Sequence, residues 1–179
     1  MGLIPLGILS SAGGGFGTYE LIETQILGSS AASITFSGLA TYATSYKHLQ
    51  IRYAAQTTRS SGGDGVRMRI NGDTGTNYAW HEFYATPPSV TAGIASSQTY
   101  IQSPMLAVGS NPNQFTPGVI DFIDSFSNTK VKTVKHLSAD IRMTAGAWYN
   151  TASITSVIFF PQIATAFQTG SRFSIYGIR

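Results

Sequence analysis

Apolar and polar residues alternate with period two along most of this chain, and almost nowhere with the 3.6-residue period of a helix. In 47–56, Leu49, Ile51, Tyr53 and Ala55 share one side and Gln50, Arg52 and Gln56 the other. In 65–71, Val66, Met68 and Ile70 alternate with Arg67 and Arg69, and in 171–178 Phe173 and Ile175 alternate with Arg172, Ser174 and Tyr176. The pattern predicts strands at 19–27, 33–37, 47–56, 65–71, 77–84, 98–106, 117–124, 131–143, 153–160 and 171–178, separated by clusters of Gly, Asn, Ser and Pro. No segment carries a helical apolar stripe free of Gly, Pro and β-branched residues, so no helix is expected. Short strands punctuated in this way indicate an all-β antiparallel sandwich or barrel. The segments 85–97 and 110–117 are expected to be long loops, where specificity usually resides.

The first seventeen residues break the pattern. An apolar arm, 1–9, offers Leu3, Ile4, Leu6, Ile8 and Leu9, and is followed by the Gly/Ser-rich segment 10–17, a flexible linker by composition. The expected division is therefore an arm and linker at 1–17 and a β-sandwich domain at 18–179. The arm resembles the apolar region of a signal peptide, but it has no basic residue before it and Pro5 and Gly7 interrupt it, so it is expected to stay in the mature protein. Gly2 is followed by Leu at position six rather than Ser or Thr, which breaks the myristoylation pattern.

Composition narrows the chemistry. Charged residues are only 11% of the chain, against a usual ~25%, so hydroxyls and amides must supply most of the surface polarity. The formal charge is +3, but the basic residues are dispersed, and the one cluster, Lys130, Lys132, Lys135 and His136, divides between two strand faces. It reads as a solvated strand edge guarded by lysine rather than a phosphate track, and no nucleic-acid partner is expected. The absence of cysteine excludes disulfides, thiolate catalysis and cysteine-based zinc sites. No apolar run approaches the ~20 residues of a membrane helix, and no membrane partner is expected.

Candidate chemistry is sparse. Asn71-Gly-Asp-Thr-Gly-Thr-Asn77 carries oxygen ligands at alternate positions but lacks EF-hand spacing and a closing Glu, whereas Asn-Gly between alternating runs signals a hairpin turn. His48, His81 and His136 lie on separate strands with no ligand spacing, and no metal or cofactor is expected. Asp121 and Asp124 occupy opposite strand faces, and Glu82 would reach either only through the tertiary fold. There is no Gly-x-Ser-x-Gly elbow, and Gly13-Gly-Gly-Phe-Gly17 is followed by neither Lys-Ser/Thr nor a helix, so it is a hinge rather than a phosphate cradle. No enzymatic activity is expected. The aromatics Trp80, Tyr84, Trp148 and Tyr149 are candidates for a ligand-facing stacking platform, with burial in the core as the plainer reading.

Several blocks together resemble tailed-phage virion structural proteins, including the capsid cement or decoration proteins of cyanophages: Gly17-Thr-Tyr-Glu20, Tyr46-Lys-His-Leu-Gln-Ile-Arg52, Asn71-Gly-Asp73 with Asn77-Tyr78, Val119-Ile-Asp121, Trp148-Tyr-Asn-Thr151 and Gly170-Ser-Arg-Phe-Ser-Ile-Tyr-Gly-Ile178. They run nearly from end to end and leave the loops around 85–117 unmatched. The resemblance implies a jelly-roll-like β-sandwich, no catalysis, and a place on the capsid surface of a virion, reached from the host cytoplasm during assembly. The implied partners are the major capsid protein or other virion proteins. Self-association as a homotrimer is expected on geometric grounds, because linking copies multiplies weak contacts on a shell rich in three-fold sites. The competing expectation is a tail-fibre or receptor-binding, carbohydrate-binding module built on the four aromatics.

Overall fold

A computed structural model describes residues 18–86, 88–139 and 142–179. The strands are β1 (Tyr19–Ile26), β2 (Ile34–Phe36), β3 (His48–Thr57), β4 (Asp64–Ile70), β5 (Tyr78–Thr86), β6 (Ser89–Gln98), β7 (Ile101–Val108), β8 (Thr116–Ile123), β9 (Lys132–Ser138), β10 (Arg142–Trp148), β11 (Val157–Pro161) and β12 (Arg172–Ile178). The only helical element among the described residues is a single 3-10 turn, Leu39–Tyr42. The all-β expectation holds.

The strands form one hydrogen-bonded network that folds over on itself. One limb runs β1-β12-β3-β8-β9-β10-β5-β6, antiparallel throughout, and the other runs β2-β11-β4-β7. A short parallel pairing, Gln56 with Ala107 and Thr57 with Val108, joins them. Early and late strands interleave in both limbs, as they do in a jelly roll.

One apolar core lies between the limbs. Leu49, Ile51 and Tyr53 of β3, Ile120 and Phe122 of β8, and Phe173 and Ile175 of β12 face Val66, Met68 and Ile70 of β4 and Val157 and Phe159 of β11. The Phe159 and Phe173 rings, 5.5 Å apart, span the two limbs. Two glycines let aromatic rings lie flat on the sheet: a Cβ on Gly118 would sit 2.3 Å from the Tyr53 ring, and one on Gly177 would sit 2.3 Å from the Tyr46 ring. Asp64, fully buried, accepts hydrogen bonds from the N–H groups of Gly65, Ile163 and Ala164 and so ties the β11–β12 connection to the start of β4.

Three expectations are corrected. The segment 85–97 is not a long loop, because most of it is β6, which pairs with β5 as a hairpin. The run 131–143 is two strands rather than one: β9 ends at Ser138 and β10 begins at Arg142, with those two residues paired. Asn71 and Gly72 do make a tight turn, with φ of 53° and 68° and Asp73 N–H bonded to Ile70 C=O at 3.0 Å. Yet it is not a hairpin, since β4 and β5 belong to different limbs and the turn carries the chain across the core.

Candidate functional site

The sequence-predicted chemistry does not converge. Trp148 is buried, its ring stacks on Tyr78 at 6.4 Å, and its Nε1 donates to Asp73 Oδ2 at 2.6 Å. It is a core residue and cannot face a ligand. Trp80 is half-buried on the inward face of β5 opposite Gly146, and its Nε1 has no hydrogen-bond partner among the described residues. Tyr84 is covered by the Arg142 guanidinium, 3.9 Å from its ring centroid. Tyr149 alone is exposed. These four do not form a platform. The arm residues Leu3, Ile4, Leu6, Ile8 and Leu9 lie outside the described residues.

The titratable groups are committed to the scaffold. The Asp73 carboxylate accepts from Trp148, from Asn77 Nδ2 at 2.9 Å and from Gly75 N–H at 2.7 Å, and these bonds, Trp148 foremost, hold it below the usual carboxylate range. Its oxygens thus close the 71–77 turn. Glu82 points inward on β5, where Arg142 lies 3.3 Å away, whereas Asp121 stands on the opposite face of β8 and accepts from Gln50 Nε2 at 2.7 Å. A carboxylate pair straddling one bond is therefore not assembled from them. Asp124 pairs with Lys130 at 2.6 Å, which lowers its pKa.

The histidines also stay apart. His48 Nδ1 accepts from the Asp124 N–H at 2.9 Å, and His81 is exposed on β5. His136 is buried against Tyr53, whose hydroxyl lies 2.7 Å from its Nε2, and burial lowers its pKa to about 3. No group of three or more potential metal ligands occurs among the described residues.

The lysine cluster needs correction as well. Strand β9 is interior, flanked by β8 and β10, so it is not a guarded edge. Lys132 is buried with its Nζ donating to the carbonyls of Ser127, Lys130 and Thr151 at 2.5, 2.8 and 3.0 Å. It is a strut beneath the 124–131 loop, and burial lowers its pKa.

What remains exposed is an apolar surface on the outer face of the long limb. The register lines up Val119, Leu137, Met143, Phe83 and Ala92 across β8, β9, β10, β5 and β6, a continuous apolar row about 20 Å wide. The next row holds Asp121, Lys135, Ala145, His81 and Ile94. Phe83 is 49%, Leu137 51%, Ile94 70% and Val90 75% exposed. A groove of about 600 Å³ runs between the rows, lined among others by Phe83, Ile94, Met143 and Lys135. Contiguous exposed apolar surface of this kind is a candidate contact surface. Val90, Ala92 and Ile94 alternate in the sequence, a period-two signal that was available but diluted by the small residues between them.

The blocks that carried the family resemblance fall into the scaffold. Tyr46 packs on Gly177, Trp148 is bonded to Asp73, and β3 pairs with β12 from His48 to Ala54. Most of these residues hold the fold together; of the outer rows the blocks supply only Val119 and Asp121. Comparison with protein-family models gives no match to the chain, and comparison with curated proteins gives none either.

Proposed function

We propose that this protein is a non-enzymatic structural component of a tailed-phage virion, a cement or decoration protein that stabilises the head shell by binding the major capsid protein. The observation that carries the reading is the exposed row Val119–Leu137–Met143–Phe83–Ala92 with the groove beside it. Such a surface favours burial against a neighbour by roughly 25 cal/mol per Å² of apolar area covered. Lys135 and His81, at the groove rim, are the groups that would fix register against an acidic partner. The second support is the resemblance of the sequence blocks, most of whose residues lie in the all-β scaffold. In this reading the copies act as a homotrimer at three-fold positions, on the surface of the virion.

The test is co-sedimentation with shells assembled without this protein. Full-length protein should saturate them, and a Phe83→Lys, Met143→Lys double variant should bind at least tenfold more weakly while keeping its far-UV spectrum. Undiminished binding by the variant would contradict this use of the outer face. A carbohydrate-binding role has no comparable support, since the four aromatics proposed for it do not gather.

A further inference from the structure

Among the described residues, three strands end the hydrogen-bonded network, and two of them are guarded. Strand β1 carries Glu20 and Glu23 and has a register irregularity between Leu21 and Glu23. Strand β2 is only three residues long. Charge, bulges and brevity are the usual devices against unwanted strand addition. Strand β6 has none of these over its regular stretch: it spans ten residues, Ser89–Gln98, without charge or proline, and pairs with β5 in unbroken register from Ser89 to Ala95. Its outer edge, unpaired among the described residues, borders the apolar outer rows, to which it contributes Ala92 and Ile94.

We propose that the β6 edge receives the apolar arm of a neighbouring copy as an added strand, with Ile4, Leu6 and Ile8 as the paired positions. In an extended segment these three share one face, so their side chains would continue the outer apolar rows beyond Val90, Ala92 and Ile94. The same parity disposes of Pro5. A residue of odd position turns its backbone away from β6, and the outer side of an edge strand is where proline is tolerated. Leu3 and Leu9 fall on the opposite face.

The donor is another copy because of length. Tyr19 begins β1, at the far edge of the long limb, seven strand spacings from β6, or about 34 Å measured along the sheet. The ten residue steps from Leu9 to Tyr19 reach about 33–36 Å only when drawn taut, whereas a Gly/Ser-rich segment of that length has a relaxed span of about 16–19 Å. A neighbour's β6 imposes no such stretch. Copies joined head to tail in this way close into a ring when the rotation permits, which is the heterologous contact a cyclic trimer requires.

The chain has no cysteine, so cross-linking reads the contact directly. One population of full-length protein carries Ile4→Cys, Leu6→Cys or Ile8→Cys, the other Val90→Cys, Ala92→Cys or Ile94→Cys. Under mild oxidation a mixture should give a disulfide-linked dimer for at least one even-position pairing. Leu3→Cys and Leu9→Cys should give several-fold less. Absence of every even-position cross-link, or equal yield from the odd positions, would overturn the proposal. So would a Leu6→Cys, Ala92→Cys double variant that closes only within its own chain, or a predominant β6-to-β6 dimer from the Ala92→Cys population alone. The assay contains no shells, so its outcome is independent of the capsid-binding reading.

Discussion

At the scale of single residues, this protein uses its few ionisable groups as internal fasteners. His136 gives the clearest consequence. Its folded pKa of about 3 lies below the ~6.5 of an unfolded chain, so on acidification the unfolded state takes the proton first. Stability contributed by the neutral form is complete above pH ~6.5 and is lost at up to about 1.4 kcal/mol per pH unit between there and pH 3. Urea melts across that range should show the decline, and His136→Gln should flatten its upper part, above the window where carboxylates titrate. Asp73→Ala removes the acceptor of Trp148 Nε1 and of two further donors, and should cost about 1–3 kcal/mol in chemical denaturation while altering Trp148 emission.

At the scale of elements, packing depends on rings laid over glycines. Gly118→Ala would drive a methyl into the Tyr53 ring, directly opposite on β3, and should destabilise by about 1–3 kcal/mol or more in thermal or urea unfolding. The same change at Gly28, whose added Cβ would meet nothing, should leave packing untouched and serves as the control. Strands such as β3, β4 and β12 were legible in the sequence because large apolar residues alternate there with polar ones and one face is buried. Strand β6 was not, since Ser, Thr, Ala and Gly give it little intrinsic strand preference and its pairing with β5 supplies the order. The reversal between β9 and β10 escaped because no glycine or proline marks it and alternation continues through both strands. Lys132 was read as a surface charge because nothing local reveals that three carbonyls converge on its ammonium group. The outer rows are a property of register across five strands, and pairing partners cannot be read from one strand at a time.

At the scale of the whole molecule, the long limb exposes an apolar outer face while its opposite face builds the core. Light scattering on full-length protein at micromolar concentration should give three times the 19.1 kDa chain mass, and removal of residues 1–16 should return it to the single-chain value without loss of strand content. A monomer at full length would remove the trimer. The central proposal, that this all-β protein is a virion cement protein docked through its outer face, is tested most directly by a density map of an intact tailed-phage particle assembled in its presence. The account predicts density for the chain on the head shell, with Leu137, Met143 and Phe83 buried against protein. Location on the tail, absence from the particle, or an outer face turned to solvent would contradict it.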